Sequence, residues 1–134
     1  MATLESIKDL SPDQVAQLQT LGIAEVSHLL EKAATPKGRQ ELAQATGIEL
    51  AVILRCANLS DLSRVKGIGR EYADMLEAVG IDSVPELAQR NPENLYQKLA
   101  EVNTEKKIVS LLPTPELVQN WVKQAKELPR VLTY

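Results

Sequence analysis

Hydrophobic residues recur every three or four positions along most of this chain. Four such series are Val15, Leu18 and Leu21; Leu50, Ile53, Leu54 and Ala57; Leu95, Leu99 and Val102; and Val118, Trp121, Val122, Ala125 and Leu128. This spacing places the apolar side chains on one face of an α-helix. No segment shows the sustained two-residue alternation that is typical of strands. The pattern therefore predicts an all-α protein without a β-sheet.

The pattern also repeats along the chain. An offset of 58 positions aligns Ile7–Leu30 with Val65–Ala88, and it brings Lys8 onto Lys66 and Gly22 onto Gly80. Several apolar positions coincide as well, such as Leu18 with Leu76 and Leu21 with Val79. Such a repeat predicts two copies of one helical unit.

Pairs of a capping residue and proline predict where several helices begin, because proline is favoured at the first helical position. These pairs are Ser11-Pro12, Thr35-Pro36, Asn91-Pro92 and Thr114-Pro115. The capping pairs and the apolar periodicity together predict helices over 12–21, 25–33, 36–45, 49–59, 84–89, 92–102 and 115–128. A helix over 70–79, ended by Gly80, is expected in the second copy of the repeat, and about eight to ten short helices in all.

We expect one compact domain made of two tandem units. The first, residues 1–61, holds the first copy of the repeat, and the second, residues 62–134, holds the other. The connection near residue 61 is short and has no run of proline or glycine. We therefore expect the units to pack together without a flexible linker.

The second copy contains a tight turn, Gly67-Ile68-Gly69, between two predicted helices, with Arg64, Lys66 and Arg70 around it. Glycine permits a positive φ and leaves backbone amides uncovered. The free N–H groups of the following helix attract phosphate oxygens. These six residues are the predicted phosphate site, with the Lys66 and Arg70 side chains expected in solvent. The alternative is a structural corner in which Ile68 fills the core.

The first copy departs from this turn. Asp9 places an anion where a phosphate would lie, and Pro12 lacks an amide donor. We expect this copy to bind no phosphate.

Four segments in this order resemble an uncharacterised bacterial family of tandem helix-hairpin-helix domains. They are 57–62, 64–69, 80–87 and 91–95. The later half is also similar to the small helical domains of Rad51-type recombinases and to the C-terminal domain of the RNA polymerase α subunit. The resemblance implies an all-α fold of paired helix-hairpin-helix units. It implies no particular activity.

The composition argues against tight nucleic-acid binding. The net charge is −3, whereas strong nonspecific binders are usually basic. The residues beyond 61 carry equal numbers of acidic and basic side chains, so the half with Gly67 is the less acidic one. A lone cysteine, no signal peptide and no apolar stretch near ~20 residues together predict a cytoplasmic protein without a membrane segment.

No group of residues predicts catalysis, a metal or a cofactor. His28, the only histidine, lacks the partners of a metal site, and Cys56 lies in an apolar run that predicts a buried, inert thiol. Trp121 falls on an apolar face and is expected in the core. The sequence therefore predicts a non-enzymatic protein.

Two functional hypotheses remain open. In the first, residues 64–70 bind the DNA or RNA backbone weakly and without reading bases. In the second, the hairpins are architecture, and the chain is a protein-interaction or scaffolding module. A weaker third hypothesis is an accessory domain for an enzyme on another chain. The sequence leaves the oligomeric state open.

Overall fold

The computed structural model describes residues 4–7 and 9–134, so Lys8 and its pairing with Lys66 lie outside the described residues. The described residues form a short 3-10 helix, eight α-helices and no β-strand. The α-helices are α1 (Pro12–Thr20), α2 (Val26–Lys32), α3 (Pro36–Thr46), α4 (Leu50–Leu62), α5 (Arg70–Ala78), α6 (Val84–Ala88), α7 (Pro92–Lys106) and α8 (Pro115–Glu127). The prediction of an all-α protein is confirmed for this part of the chain.

The predicted helix starts are confirmed by side-chain caps. The side chains of Ser11, Thr35, Asn91 and Thr114 each accept a hydrogen bond from a backbone N–H in the first turn of α1, α3, α7 and α8. These bonds satisfy N–H groups that have no partner within the helix. The predicted ends of α4 and α7 were too early by three or four residues, because no proline or glycine ends either helix at the expected position.

The two copies of the repeat, which are 58 positions apart in sequence, also match in secondary structure. Helix α5 has the same bounds as α1 when the offset is added, and α6 begins where α2 does. The turns match as well: the Ile23 N–H donates to the Leu18 carbonyl at 3.1 Å, and the Ile81 N–H donates to the Leu76 carbonyl at 2.9 Å. The repeat in sequence is therefore a repeat of local structure.

The contacts among residues divide the chain into two compact units. The first unit comprises the residues up to Asp61 together with Val131–Tyr134, and the second comprises Leu62–Arg130. The sequence-based division placed the last four residues in the second unit. They lie in the first because Thr133 and Tyr134 form hydrogen bonds with Ala34 and Asn58.

In the first unit, α3 packs against α1 and α2. The core is aliphatic, with Leu18, Ile23 and Leu29 almost fully buried. Cys56 is buried too, and its burial, with a smaller effect of the Asp9 charge, raises the pKa of the thiol to about 12. The predicted buried thiol is confirmed, and the raised pKa keeps it protonated and unreactive near neutral pH.

In the second unit, α8 packs against α6 and α7, and α5 packs against α7. Trp121 on α8 is fully buried, as are Leu76, Leu87 and Leu99. The placement of Trp121 in the core is confirmed. None of the helices in the described part of the chain combines the length and hydrophobicity that crossing a bilayer requires.

Candidate phosphate-binding hairpin

The turn between α4 and α5 depends on one glycine with a left-handed backbone. Gly67 has φ of +96°, a conformation that residues with a side chain rarely adopt. Ile68 follows it, is 4% exposed, and donates its N–H to the Val65 carbonyl. Ile68 is therefore a core residue and its amide is occupied, which leaves Gly67 and Gly69 as the accessible part of the turn.

Gly69 does not share the conformation of Gly67. It is the N-cap residue of α5, with φ of −90° and ψ of −168°, which any residue can adopt. Of the two turn glycines, only Gly67 therefore uses the positive φ that glycine permits. Gly69 matters chemically because it has no side chain with which to cap α5. The amides of Gly67 and Gly69 donate no hydrogen bond within the described residues.

Two residues of helix α8 contact the turn between α4 and α5. The Gln124 side chain accepts from the Lys66 N–H at 2.9 Å and donates to the Lys66 carbonyl at 3.0 Å. One turn earlier, Trp121 lies so close to Gly67 that a Cβ on Gly67 would be 3.1 Å from the indole Nε1. No local sequence pattern indicates this support, because Lys66 and Gln124 are 58 residues apart.

Trp121 contains the one buried side-chain polar atom without a hydrogen-bond partner among the described residues, its Nε1. The indole packs against the Tyr72 ring, with centroids 5.2 Å apart and planes tilted by 53°. The Tyr72 hydroxyl donates to the Leu111 carbonyl at 3.1 Å. The two aromatic rings therefore support the first turn of α5, and Trp121 is too deeply buried to stack on a base.

The three predicted cations differ in their availability. The Arg64 guanidinium donates to the Pro129 carbonyl at 2.6 Å, and Arg70 Nε lies 3.3 Å from Asp74 Oδ2. The Arg70 side chain is 21% exposed, so the expectation that it is solvated is wrong. Arg70 is drawn to Asp74 because the two residues are one helical turn apart. Lys66 is the exposed cation of the three.

The corresponding turn of the first unit is closed by its own side chains. The Asp9 carboxylate pairs with Arg55 at 2.9 Å. The Ser11 hydroxyl accepts from the Gln14 N–H, and the Gln14 side chain accepts from the Ser11 N–H. With Pro12 lacking an N–H, little of this helix start remains to bind an anion.

The remaining polar candidates form no ligand cluster. His28 is about half exposed, with its Nε2 3.9 Å from a Glu25 carboxylate oxygen. Within the described residues, no group of three or more His, Cys, Asp or Glu side chains could hold a metal ion.

A neighbouring carboxylate changes the titration of Glu86 in the second unit. The pKa of Glu86 is raised to about 7, chiefly by a hydrogen bond with Asp82 and also by desolvation and the Asp82 charge; Ser83 and Arg90 oppose the rise. A carboxyl with a higher pKa in the folded chain stabilises it fully below pH about 4.5, and this contribution is lost as pH rises through about 7.

We therefore expect Glu86→Gln to gain stability relative to the wild type as pH rises from about 5 to about 8. The measurement is the urea midpoint of both proteins at each pH. The exposed Glu101, on α7, provides the control variant Glu101→Gln, which should show no such gain. A difference between Glu86→Gln and the wild type that does not change with pH would contradict the raised pKa of Glu86.

A model of a protein family matches nearly the whole chain. The family is described as a domain of unknown function, DUF4332, and the match spans residues 8–128 of 134. Comparisons with curated proteins and with solved structures gave no significant match. Because the family match covers well over half of the chain, the protein belongs to the DUF4332 family.

Proposed function

We propose that the chain is a non-enzymatic tandem helix-hairpin-helix module whose second hairpin, residues 66–70, binds a nucleic-acid backbone phosphate. One observation carries the proposal: the amides of Gly67 and Gly69 are exposed and donate no hydrogen bond within the described residues, at the uncapped start of α5. Backbone N–H groups at a helix start, in a turn with a left-handed residue, suit an anion. Lys66 adds an exposed positive charge beside them.

The arrangement favours weak binding that ignores base sequence. Lys66 is the exposed cation, while Arg64 and Arg70 are engaged with Pro129 and Asp74. In the described part of the first hairpin, the Asp9 carboxylate and the Ser11 cap leave no comparable pair of free turn amides. With so few contacts, the affinity should fall gently with salt, with a log–log slope of about −1 to −3.

The repeat itself suggests the sharpest test. The first unit has Ser11 where the second has Gly69, and the Ser11 hydroxyl caps α1. No atom lies within 4 Å of the position that a Cβ on Gly69 would take, so Gly69→Ser is accommodated. As Ser11 does with Gln14, its hydroxyl would accept from the N–H of Tyr72, the third residue of α5. It would thus occupy a helix-start donor beside the Gly67 and Gly69 amides that a bound phosphate would otherwise use.

We expect Gly69→Ser to raise the free energy of unfolding by about 0.5 kcal/mol and to weaken nucleic-acid binding. The two effects have opposite signs because one hydrogen bond replaces the other. Urea unfolding measures the first effect, and fluorescence anisotropy with labelled duplex and single-stranded DNA and RNA at low salt measures the second. A stabilised variant that binds as the wild type does would place the nucleic acid elsewhere on the chain.

A charge reversal tests the contribution of Lys66. Lys66→Glu should remove binding, since it places an anion beside the two glycine amides. Lys37→Glu is the matched control, because Lys37 is also exposed but lies on α3 of the first unit. If both variants lose the same fraction of binding, net charge and not the hairpin determines the affinity.

A protein-interaction module is the second candidate, and a groove in the first unit favours it. Leu21 is 45% exposed at this groove, whose wall also includes Ile23, Leu42 and Ala45. Lys32 and Glu41 border it with opposite charges. An exposed apolar side chain such as Leu21, bordered by polar groups, is typical of a protein contact. If the wild type binds none of the nucleic acids at low salt, the hairpin is structural and this candidate takes precedence.

A further inference from the structure

An open cavity lies beside the hairpin, within the second unit. Its volume is about 440 Å³, which is in the range of sites for small molecules. Most of its lining side chains can form hydrogen bonds, and one is apolar. They are Lys66 from the turn, Asn120, Gln124 and Glu127 from α8, and Leu128 at the end of that helix. The cavity is therefore suited to a ligand that is polar but has one carbon-rich face, such as a sugar.

Hydrogen bonds that begin at the turn fix the orientation of Asn120. Gln124 Oε1 accepts from the Lys66 N–H, so the Gln124 Nε2 lies on the other side, where it donates to the Lys66 carbonyl and to Asn120 Oδ1. The Asn120 oxygen is thereby occupied, and its Nδ2 remains as a donor. Asn120 is exposed, and this Nδ2 donates no hydrogen bond within the described residues. The cavity therefore has a positioned donor on the wall formed by α8.

The cavity also has one charge of each sign. Lys66 and Glu127 are both exposed, and neither side chain forms an ion pair within the part of the chain that the structure describes. Lys66 adjoins the turn amides, whereas Glu127 follows Gln124 by about one helical turn, on the far side from the turn. The end at the turn therefore attracts an anion, and the end at Glu127 repels a second one.

The carboxylate of Glu127 determines what the rest of the ligand must offer. An ionised carboxylate only accepts hydrogen bonds, so its partner must be a donor. The sugar of a DNA strand has no donor, because its oxygens are all in ester or ether bonds. In RNA the 2′-hydroxyl is a donor, and its carbon adjoins the carbon that carries the 3′-phosphate. Base N–H groups lie farther from the phosphate and differ from base to base.

We infer that the hairpin and this cavity together bind a ribonucleotide, so that the module prefers RNA to DNA. This inference rests on the proposed phosphate site at residues 66–70. The turn amides bind the phosphate, and Glu127 accepts from the 2′-hydroxyl beside it. Leu128 covers the carbon face of the ribose, and Asn120 Nδ2 donates to an oxygen of the same nucleotide.

Labelled single-stranded oligonucleotides of one length, all with uracil bases, test the preference on the full chain. They carry ribose, deoxyribose, 2′-fluoro-ribose or 2′-O-methyl-ribose, and fluorescence anisotropy at low salt measures their affinities. The 2′-fluoro sugar keeps the pucker of RNA but has no donor. We expect the ribose form to bind about 5-fold more tightly than each of the others, as one hydrogen bond to a charged group provides.

Glu127→Ala should abolish this preference. Removal of the negative charge strengthens binding of RNA and DNA alike, so the ratio of the two affinities is the quantity to compare, and it should fall to about 1. Glu116→Ala is the matched control, because Glu116 is exposed on the same helix and does not line the cavity. It should keep the wild-type ratio. Circular dichroism shows whether each variant keeps the helical fold.

The outcomes separate this inference from the proposed function. Equal affinities for RNA and DNA would overturn the inference and leave the phosphate site intact. A 2′-fluoro form that binds as RNA does, or a preference that survives in Glu127→Ala, would also overturn it, because the hydroxyl or its acceptor would then not be recognised. Failure of the wild type to bind any of the oligonucleotides would contradict the phosphate site, and this inference with it.

Single nucleotides provide a second measurement at this site alone. Uridine 3′-phosphate and 2′-deoxyuridine 3′-phosphate are titrated into the full chain, and the NMR signals of the Asn120 side-chain amide are followed. We expect saturable shifts with both, and about 5-fold tighter binding of the ribonucleotide. Shifts that saturate at the same concentration for both nucleotides, or an Asn120 signal that does not move with either, would contradict the inference.

Discussion

Gly38→Ala should destabilise the chain by about 3 kcal/mol, although glycine to alanine within a helix ordinarily stabilises it. Gly38 lies in the first turn of α3, where the end of α2 passes very close. A Cβ there would be 2.2 Å from the Lys32 carbonyl oxygen and 3.3 Å from Thr35 Oγ1. Because the nearer atom belongs to the backbone, α2 and α3 must move apart. Urea unfolding followed by circular dichroism measures the effect.

Gln40→Ala is the control for this prediction. Gln40 is exposed on the same helix, so its substitution should change the free energy of unfolding by less than about 0.5 kcal/mol. A urea midpoint for Gly38→Ala that equals or exceeds that of the wild type would show that α2 and α3 do not approach as closely as described.

Gly67→Ala should cost about 2–3 kcal/mol. Two effects combine at this position. A side chain at φ of +96° is strained, and the added Cβ would press against the Trp121 indole at 3.1 Å. Since Trp121 is fully buried in the core of the second unit, it cannot turn away cheaply. The change is measured as a shift of the urea midpoint and of the Trp121 fluorescence, which reports on the packing of this side chain alone.

Gly69→Ala is the matched control in the same turn. Gly69 has negative φ and no atom within 4 Å of the added Cβ, so the cost should stay below about 1 kcal/mol. Equal destabilisation by the two variants would mean that Gly67 and Gly69 are under the same conformational and packing constraints. A neutral Gly67→Ala would mean that its positive φ is not required.

Local sequence was sufficient for most of the secondary structure. Ser11, Thr35, Asn91 and Thr114 lie beside proline, and each caps the helix that was predicted to start there. Capping and helical periodicity act over a few residues, so a single sequence shows them directly. The same is true of the repeat, because matching residues impose matching turns.

The candidate site was predictable only in part. The position of the turn followed from Gly67 and Gly69, but the difference in their φ did not, since glycine permits both conformations. The availability of the cations did not follow either. Arg64 is engaged by the Pro129 carbonyl, which is 65 positions away, and no periodic pattern indicates that contact.

The helical class, the helix starts, the repeat and the location of the exposed turn can all be predicted from the sequence, because each depends on interactions between near neighbours. Helix packing then sets which of these features can act. Packing places Trp121 against Gly67 and brings Gln124 within hydrogen-bond distance of Lys66. In the first unit, it places the Tyr134 ring against the Arg39 guanidinium. Each of these contacts joins residues more than 50 positions apart. Such contacts arise from how helices pack, and packing depends on the shapes of complete surfaces that a linear pattern does not record.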